Sequence, residues 1–306
     1  CCADAFAGLS AMREFEAGTL SSTTSGGDAA PSMIPGPRGA AVSRDNPVPT
    51  PPFLGSRRVT GIDPAELYPY VNEQALFRGR WGFRRGKMTA EEYADLVRGK
   101  VRPMYDALKR RGVEEGLLRP KVAYGYFRCR SDGDTLVVEH DGRSFPFQFP
   151  RQKSPPHLCI ADYFRTREEG GDVAGFFVAT VGEEIGRAAR ELFGSDRYHD
   201  YLMLHAFGVE VTAALAEYWH ELMRRELGIS GERPGSFSGY VVQEYQGSRY
   251  GFGYPSCPDL GAHVPVFELL SPGEIGVTLT ESMEMVPEQT TSAIVVHHPQ
   301  AKYFAA

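Results

Sequence analysis

The stretch QEYQGSRYGFGYPSCPDL, residues 243–260, carries the strongest local signal in this chain. Pro255 and Pro258 forbid a regular helix here, because proline removes a backbone donor, and the glycines weaken any ordinary strand. The same run places Arg249 among tyrosines and bare glycine backbone. We interpret it as a turn that brings backbone groups, an arginine and aromatic rings to one place.

These residue types suit a ligand of mixed chemistry. Gly251 and Gly253 allow a ligand to reach backbone N–H and C=O groups. The guanidinium of Arg249 matches a carboxylate, and the rings of Tyr250 and Tyr254 attract a cation or stack on a base. S-adenosylmethionine has all three parts, whereas the alternative is a turn with a purely structural role.

Other chemistries fit the stretch less well. The dinucleotide pattern G-x-G-x-x-G is incomplete after Gly253, and the prolines prevent the helix that should follow it. Cys257 lacks an obvious helix N-terminus that would lower its pKa, so a packing role is favoured over a nucleophilic one. We expect no catalytic acid, base or nucleophile in this chain.

Composition limits the class of protein. The chain has 306 residues, 42% of them hydrophobic, and a net charge of −6, which gives no basic field for nucleic acid. It contains no run of 18 apolar residues that would span a membrane. The chain has an odd number of cysteines, five, and apart from the adjacent Cys1 and Cys2 they are widely spaced; with no CxxC pair or HExxH motif, this favours reduced thiols and no metal site. We therefore expect a cytoplasmic location.

The chain divides into three parts by pattern. Residues 1–17 are predicted to form a short helix. Residues 18–52, which are rich in serine, threonine, glycine and proline, are predicted to be a flexible linker. Residues 53–306 are predicted to form the folded domain.

Within that domain, the predicted strands lie next to one another in the sequence and do not alternate with the predicted helices. Helices are predicted over 63–77, 89–112 and 196–228, from capping residues and apolar spacing. Residues 121–140 read as a hairpin around SDGD, and residues 158–164 as a strand. Because strands cluster instead of alternating with helices, the pattern predicts an α+β fold with a largely antiparallel sheet.

Several segments of the chain resemble one known family. YQGSRYGFGYPSCPD resembles the R-x-x-x-G-Y-P-x-C-P motif of the reactivation domain of cobalamin-dependent methionine synthase. Four more segments resemble the family in the same order: LCIADYF (158–164), AEYWHE (216–221), LTESMEMVP (279–287) and HPQAKYF (298–304). The resemblance covers the chain from Phe53 to its end. It implies a C-shaped single domain with a twisted antiparallel sheet and flanking helices, preceded by a linker.

The resemblance also implies ligand-binding residues for S-adenosylmethionine. Arg249 matches the arginine that holds the carboxylate region, and Gly251 a backbone contact. Gly253 and Tyr254 match the Gly-Tyr of the motif, and Tyr303 matches a tyrosine near the ligand.

Some positions depart from the family pattern. Asn72 stands where other members carry an aspartate for the ligand's amine, and Ala213 where some carry a glutamate. Gln243 also replaces an acidic residue, and Glu73 is a neighbouring acid. An asparagine accepts a hydrogen bond but lacks the charge. Ammonium binding is therefore the part of the site that the sequence defines least.

The function implied is that of the reactivation region of a methyltransferase of methionine biosynthesis. The domain would position the methyl group of S-adenosylmethionine for reductive remethylation of cob(II)alamin to methylcobalamin. Its implied partners are the cobalamin-binding domain of the same protein, whose last helix residues 1–17 resemble, and a flavodoxin-type electron donor. The basic run 78–87 is a candidate docking surface for that donor.

Two alternatives stay open at this point. One is a stand-alone module that binds S-adenosylmethionine or regulates a corrinoid partner without methyl transfer. The other is a fold that keeps the motif as structure and binds nothing.

Overall fold

A seven-stranded antiparallel sheet lies at the centre of the computed structural model, which describes residues 42–231, 239–240 and 242–306. Its strands are β1 (Gly55–Val59), β2 (Lys121–Asp132), β3 (Thr135–His140), β4 (Arg143–Gln148), β5 (Asp172–Thr180), β6 (Ser248–Gly251) and β9 (Thr290–Val296). β7 (Thr278–Leu279) and β8 (Met285–Val286) form a separate pair. The order is β4-β3-β2-β5-β9-β6, with β1 paired to β2, and every pair is antiparallel. The predicted α+β class is confirmed.

Both faces of the sheet are buried, which explains the long apolar runs in β2 and β5. Tyr124 and Tyr126 of β2 pack into one hydrophobic cluster, and their neighbours Ala123 and Phe127 pack into a second cluster on the opposite face. This alternation follows from the two-residue period of a strand. The sheet is therefore the middle layer between two cores.

Helices flank the sheet. They are α1 (Ala90–Leu96), α2 (Arg102–Glu114), α3 (Glu184–Gly194), α4 (Tyr198–Glu226) and α5 (His263–Leu270). Thr89 caps α1, as the sequence predicts, and the structure adds a capping box with Glu92. α4 has 29 residues and is followed by Gly228 at φ +68°, the left-handed conformation that stops a helix. The predicted longest helix is confirmed.

The prediction of one continuous helix over 63–77 is wrong. Asp63 does cap a first turn by accepting from the Ala65 N–H at 2.9 Å. That turn (Pro64–Glu66) and the next (Tyr68–Tyr70) are short 3-10 segments, and a π-helical segment follows at Ala75–Arg80. The chain is interrupted because Val71 is extended, at φ −70° and ψ 129°.

The predicted strand over 158–164 is also wrong. Its centre, Ile160–Tyr163, is a 3-10 turn. Asp162 accepts from the Cys159 N–H at 2.9 Å, and the Arg151 guanidinium donates to the same carboxylate at 2.7 Å. These hydrogen bonds stabilise a local turn, and they outweigh the preference of an apolar run for a strand.

The predicted divisions of the chain at residues 17 and 52 stay predictions. Residues 1–17 and 18–41 lie outside the described residues. In the described end of the predicted linker, the Ser43 N–H donates to Gln300 Oε1 at 2.8 Å, and the Ser43 carbonyl lies 2.9 Å from His298 Nε2. Among the described helices, none is long and apolar enough to cross a membrane.

Gly125 in β2 offers a test of how closely the sheet is packed. A Cβ at Gly125 would overlap the carbonyl oxygen of Gly55 in β1. We expect Gly125→Ala to lower the free energy of unfolding by about 3 kcal/mol or more, since backbone cannot move aside cheaply. Urea unfolding measures the loss. Gly79→Ala is the control, because no atom lies within 4 Å of the added carbon; equal effects at both positions would contradict the close packing at β1.

Candidate functional site

Four distant segments of the chain line one cavity of about 780 Å³ on the α4 side of the sheet. Its walls come from the 70–75 region, one face of α4, strands β6 and β9, and the C-terminal residues 302–303. Five of the six sequence-predicted ligand residues line this cavity: Asn72, Arg249, Gly251, Tyr254 and Tyr303. Gly253 is outside the lining.

An ion pair joins the sheet to the long helix at the cavity wall. Arg249 in β6 donates from Nη1 to Glu217 Oε2 in α4 at 2.9 Å. The second oxygen, Glu217 Oε1, accepts from the Tyr245 hydroxyl at 3.1 Å. Arg249 keeps a quarter of its side chain exposed, so its remaining N–H groups are available to a ligand.

The charge states around this pair are fixed near neutral pH. Burial alone would raise the pKa of the Glu217 carboxyl, but the charge of Arg249 and neighbouring hydrogen-bond donors lower it to about 2. Burial lowers the pKa of His220 to about 4, so this imidazole is neutral at pH 7. His220 is also fully buried and cannot touch a ligand. These groups provide a fixed electrostatic environment and no proton donor.

The glycine-rich turn shapes the rim of the cavity. A Cβ at Gly251 would lie 2.7 Å from the Tyr254 ring, so a larger residue would displace that ring. Gly253 is at φ +86°, and its N–H donates to the Cys257 carbonyl at 2.8 Å. Tyr254 is 57% exposed and free to contact a ligand. Gly253 thus holds the turn in shape, while its contact with ligand stays a prediction.

Asn72 lines the cavity with its amide oxygen already engaged. Its Oδ1 accepts from the Ala75 N–H at 3.0 Å and caps the following helical segment. Glu73, the neighbouring acid, forms two hydrogen bonds with Arg102, at 2.5 and 2.6 Å. The Asn72 oxygen is thus used within the protein, and the Glu73 carboxylate pairs with Arg102.

Tyr303 is held at the opposite wall by its backbone and its ring. Its N–H donates to Gln243 Oε1 at 2.8 Å, and its ring stacks at 6.2 Å on Tyr250 beneath it. The ring is 46% exposed. Its ring therefore presents an aromatic surface to the cavity, while its contact with a ligand stays a prediction.

Sequence reasoning missed the acidic face of α4. Glu210 and Glu217 both line the cavity and are buried, at 5% and 8% exposure. They are seven residues apart, so they lie on the same face of the helix two turns from each other. Two glutamates at this spacing within an otherwise apolar helical stripe are the signal that could have revealed them.

A second cavity, of about 750 Å³, lies apart from these residues. Its lining contains four arginines and none of the predicted ligand residues; the arginines are Arg128, Arg130, Arg165 and Arg167. Within the described residues, no group of three or more His, Cys, Asp or Glu could hold a metal ion.

Comparison with known proteins gives a consistent set of matches. The sequence model of the family described as "Vitamin B12 dependent methionine synthase, activation domain" matches residues 65–306. Methionine synthase of Mycobacterium tuberculosis (strain ATCC 25618 / H37Rv) is 43% identical over 287 residues, which are 88% of this chain and 24% of that protein. Methionine synthase of Mycobacterium leprae (strain TN) is 42% identical over 281 residues, covering 85% of this chain and 23% of that protein. The chain therefore spans about a quarter of the length of these relatives.

A solved structure is similar over most of the chain. It is the MetH reactivation domain bound to AdoHcy, with a TM-score of 0.74 and 25% sequence identity. The match covers 84% of this chain and 83% of that one.

The low pKa of Glu217 predicts a specific pH dependence of stability. A carboxyl whose pKa falls from 4.5 to about 2 on folding stabilises the protein above pH 4.5 and loses that contribution as pH falls toward 2. We expect the stability advantage of the wild type over Glu217→Gln to shrink by about 2 kcal/mol between pH 7 and pH 3. Urea unfolding across this range measures it. Glu191→Gln, on an exposed position of α3, is the control; a wild-type advantage over Glu217→Gln that is independent of pH would contradict the assignment.

Proposed function

The chain belongs to the family of vitamin B12-dependent methionine synthase activation domains, and from this premise we propose that its α4-side cavity binds S-adenosylmethionine. The observation that carries the proposal is the convergence of Arg249, Gly251, Tyr254 and Tyr303 on that cavity. The similar solved structure has AdoHcy bound, which is the demethylated product, and this supports the same ligand class.

The cavity suits the parts of this ligand. Its volume of about 780 Å³ is within the usual range for small-molecule sites. The free N–H groups of Arg249 face a carboxylate, and the exposed rings of Tyr254 and Tyr303 are available to stack on adenine or face the sulfonium. The bare backbone of Gly251 allows close approach.

We propose that the bound ligand donates its methyl group to a cobalamin, which is a substrate of this chain. The cobalamin would be carried by a separate domain. With one electron from a flavodoxin-type donor and the methyl group of the sulfonium, cob(II)alamin would be converted to methylcobalamin, and S-adenosylhomocysteine would remain in the cavity. The sulfonium is already an activated electrophile, so the domain supplies position and exclusion of water, and needs no acid or base.

The length of the relatives supports the proposal of a partner domain in the same protein. The matched methionine synthases are about four times longer than the matched region. We propose that a cobalamin-binding domain of the same protein docks over the cavity and brings cobalt to the methyl group. We propose a cytoplasmic location, which the free thiols of Cys129, Cys159 and Cys257 support.

Calorimetric titration of S-adenosylmethionine tests the site. We expect saturable binding by the wild type, weakened about 10- to 100-fold in Arg249→Ala and Tyr254→Ala, from the loss of a charge-assisted bond or of a stacked ring. The affinity of Arg249→Lys should lie between those of the wild type and Arg249→Ala, because lysine keeps the positive charge and lacks the planar guanidinium.

Matched controls separate ligand contacts from general damage. Arg128→Ala removes an arginine from the second cavity, and Tyr198→Ala removes a tyrosine that is 56% exposed, like Tyr254. Both should bind as the wild type does. Absence of binding by the folded wild type, or equal losses in the controls, would refute the proposed site.

The basic run supports a second prediction, about the electron donor. Arg84, Arg85 and Lys87 are exposed on the segment that follows the π-helical turn. Reversing these three charges to glutamate should slow reductive methylation of a cobalamin-loaded partner by an acidic flavodoxin and flatten its salt dependence. Rates measured from low to high ionic strength check this. Reversal of the exposed Arg187 and Arg190 on α3 is the control; an unchanged salt dependence in the Arg84–Lys87 variant would exclude this surface.

A further inference from the structure

The cavity that we assign to S-adenosylmethionine has two carboxylates on its wall, and they differ in how they are engaged. Both oxygens of Glu217 already accept hydrogen bonds, from Arg249 at 2.9 Å and from Tyr245 at 3.1 Å. Each of its oxygens therefore already has one donor within the protein, and a further bond from a ligand would use the second lone pair of an oxygen.

The amide oxygens on the wall are engaged as well. Asn72 Oδ1 accepts from the Ala75 N–H at 3.0 Å, and Gln243 Oε1 accepts from the Tyr303 N–H at 2.8 Å. The remaining amide atoms of these side chains are N–H donors, which repel a cation. Each of these amide oxygens thus already has one donor, and neither side chain carries a negative charge for an ammonium group.

Glu210 has the opposite arrangement. It is buried to 5% exposure and lines the cavity. Its Oε1 accepts from Arg80 Nε at 2.5 Å, while its Oε2 accepts no hydrogen bond from the described residues. Among the described side chains of the wall, it is the one carboxylate with an oxygen left for a ligand.

Glu210 and Arg249 line the same cavity from two different elements. Glu210 lies two helical turns before Glu217, about 10 Å along α4, and Arg249 donates to Glu217. The lining therefore offers a carboxylate for an ammonium group and a guanidinium for a carboxylate.

We propose that Glu210 binds the ammonium group of the ligand's methionine part, while Arg249 binds its carboxylate. The inference rests on the proposed function of this cavity and names an acidic residue for the ligand's amine. Arg80 is half-exposed and holds the other oxygen of Glu210, so it orients the carboxylate from the protein surface. Glu210 is thus a ligand-binding residue and Arg80 a positioning residue.

Three ligands separate the ammonium from the rest of the molecule. S-adenosylhomocysteine carries the ammonium without the sulfonium charge, S-adenosylmethionine carries both, and 5′-methylthioadenosine lacks the amino-acid part. Calorimetry would compare them on the wild type, Glu210→Gln, Arg80→Gln and the control Glu184→Gln. Glu184 pairs with Arg119 at 3.0 Å and lies outside the cavity lining.

The expected result is selective. Glu210→Gln should weaken the binding of S-adenosylhomocysteine and of S-adenosylmethionine by about tenfold or more. It should change the affinity for 5′-methylthioadenosine by less than about twofold. Arg80→Gln should keep or tighten the binding of S-adenosylhomocysteine, because it leaves the charge of Glu210 uncompensated by the protein. The control should match the wild type for all three.

Other results would overturn the assignment. Equal losses for 5′-methylthioadenosine and S-adenosylhomocysteine in Glu210→Gln would show general damage to the cavity. A loss confined to S-adenosylmethionine would assign Glu210 to the sulfonium, and equal losses in Arg80→Gln and Glu210→Gln would make the pair structural. If the wild type binds and Glu210→Gln binds equally well, the assignment of Glu210 is wrong and the proposed function stands. If the wild type binds none of the three ligands, the proposed function is wrong as well.

Discussion

The ion pair between Arg249 and Glu217 is the constraint on which the site depends. It joins an edge strand of the sheet to the middle of the 29-residue helix α4. Burying two charges is costly, and the cost is offset only when each remaining donor or acceptor finds a partner. Tyr245 supplies that partner for Glu217. The pair therefore keeps the helix and the strand in one arrangement and leaves the outer side of the Arg249 fork for a ligand.

The cavity exists only as a product of tertiary structure. Its walls come from segments near residues 72, 213, 251 and 303, and none of these segments forms a site alone. Since each wall is held by a bond to another segment, a ligand that spans them binds the folded state and not the unfolded chain. Binding of such a ligand adds to the stability of the whole unit by mass action.

Sequence reasoning succeeded where a local pattern and the tertiary role agree. The run 243–260 identified the turn, the arginine and the ring of Tyr254. The N-cap Thr89 and the long apolar stripe located the start of α1 and the helix α4. It failed at residues 63–77 and 158–164, where local hydrogen bonds and an extended Val71 outweigh periodicity. It also missed Glu210, because the bond between Glu210 and Arg80 joins residues that are 130 positions apart and forms only in the folded chain.

The charges of the cavity suit a transfer that moves no proton. Glu217 has a pKa of about 2 and stays ionised near pH 7, while the buried His220, with a pKa of about 4, stays neutral. Neither group changes charge across the physiological range, so the field at the cavity is constant. A sulfonium that gives up its methyl group loses a positive charge and requires no acid or base. A fixed arrangement of charges that holds the ligand in place is therefore sufficient for the chemistry that we propose.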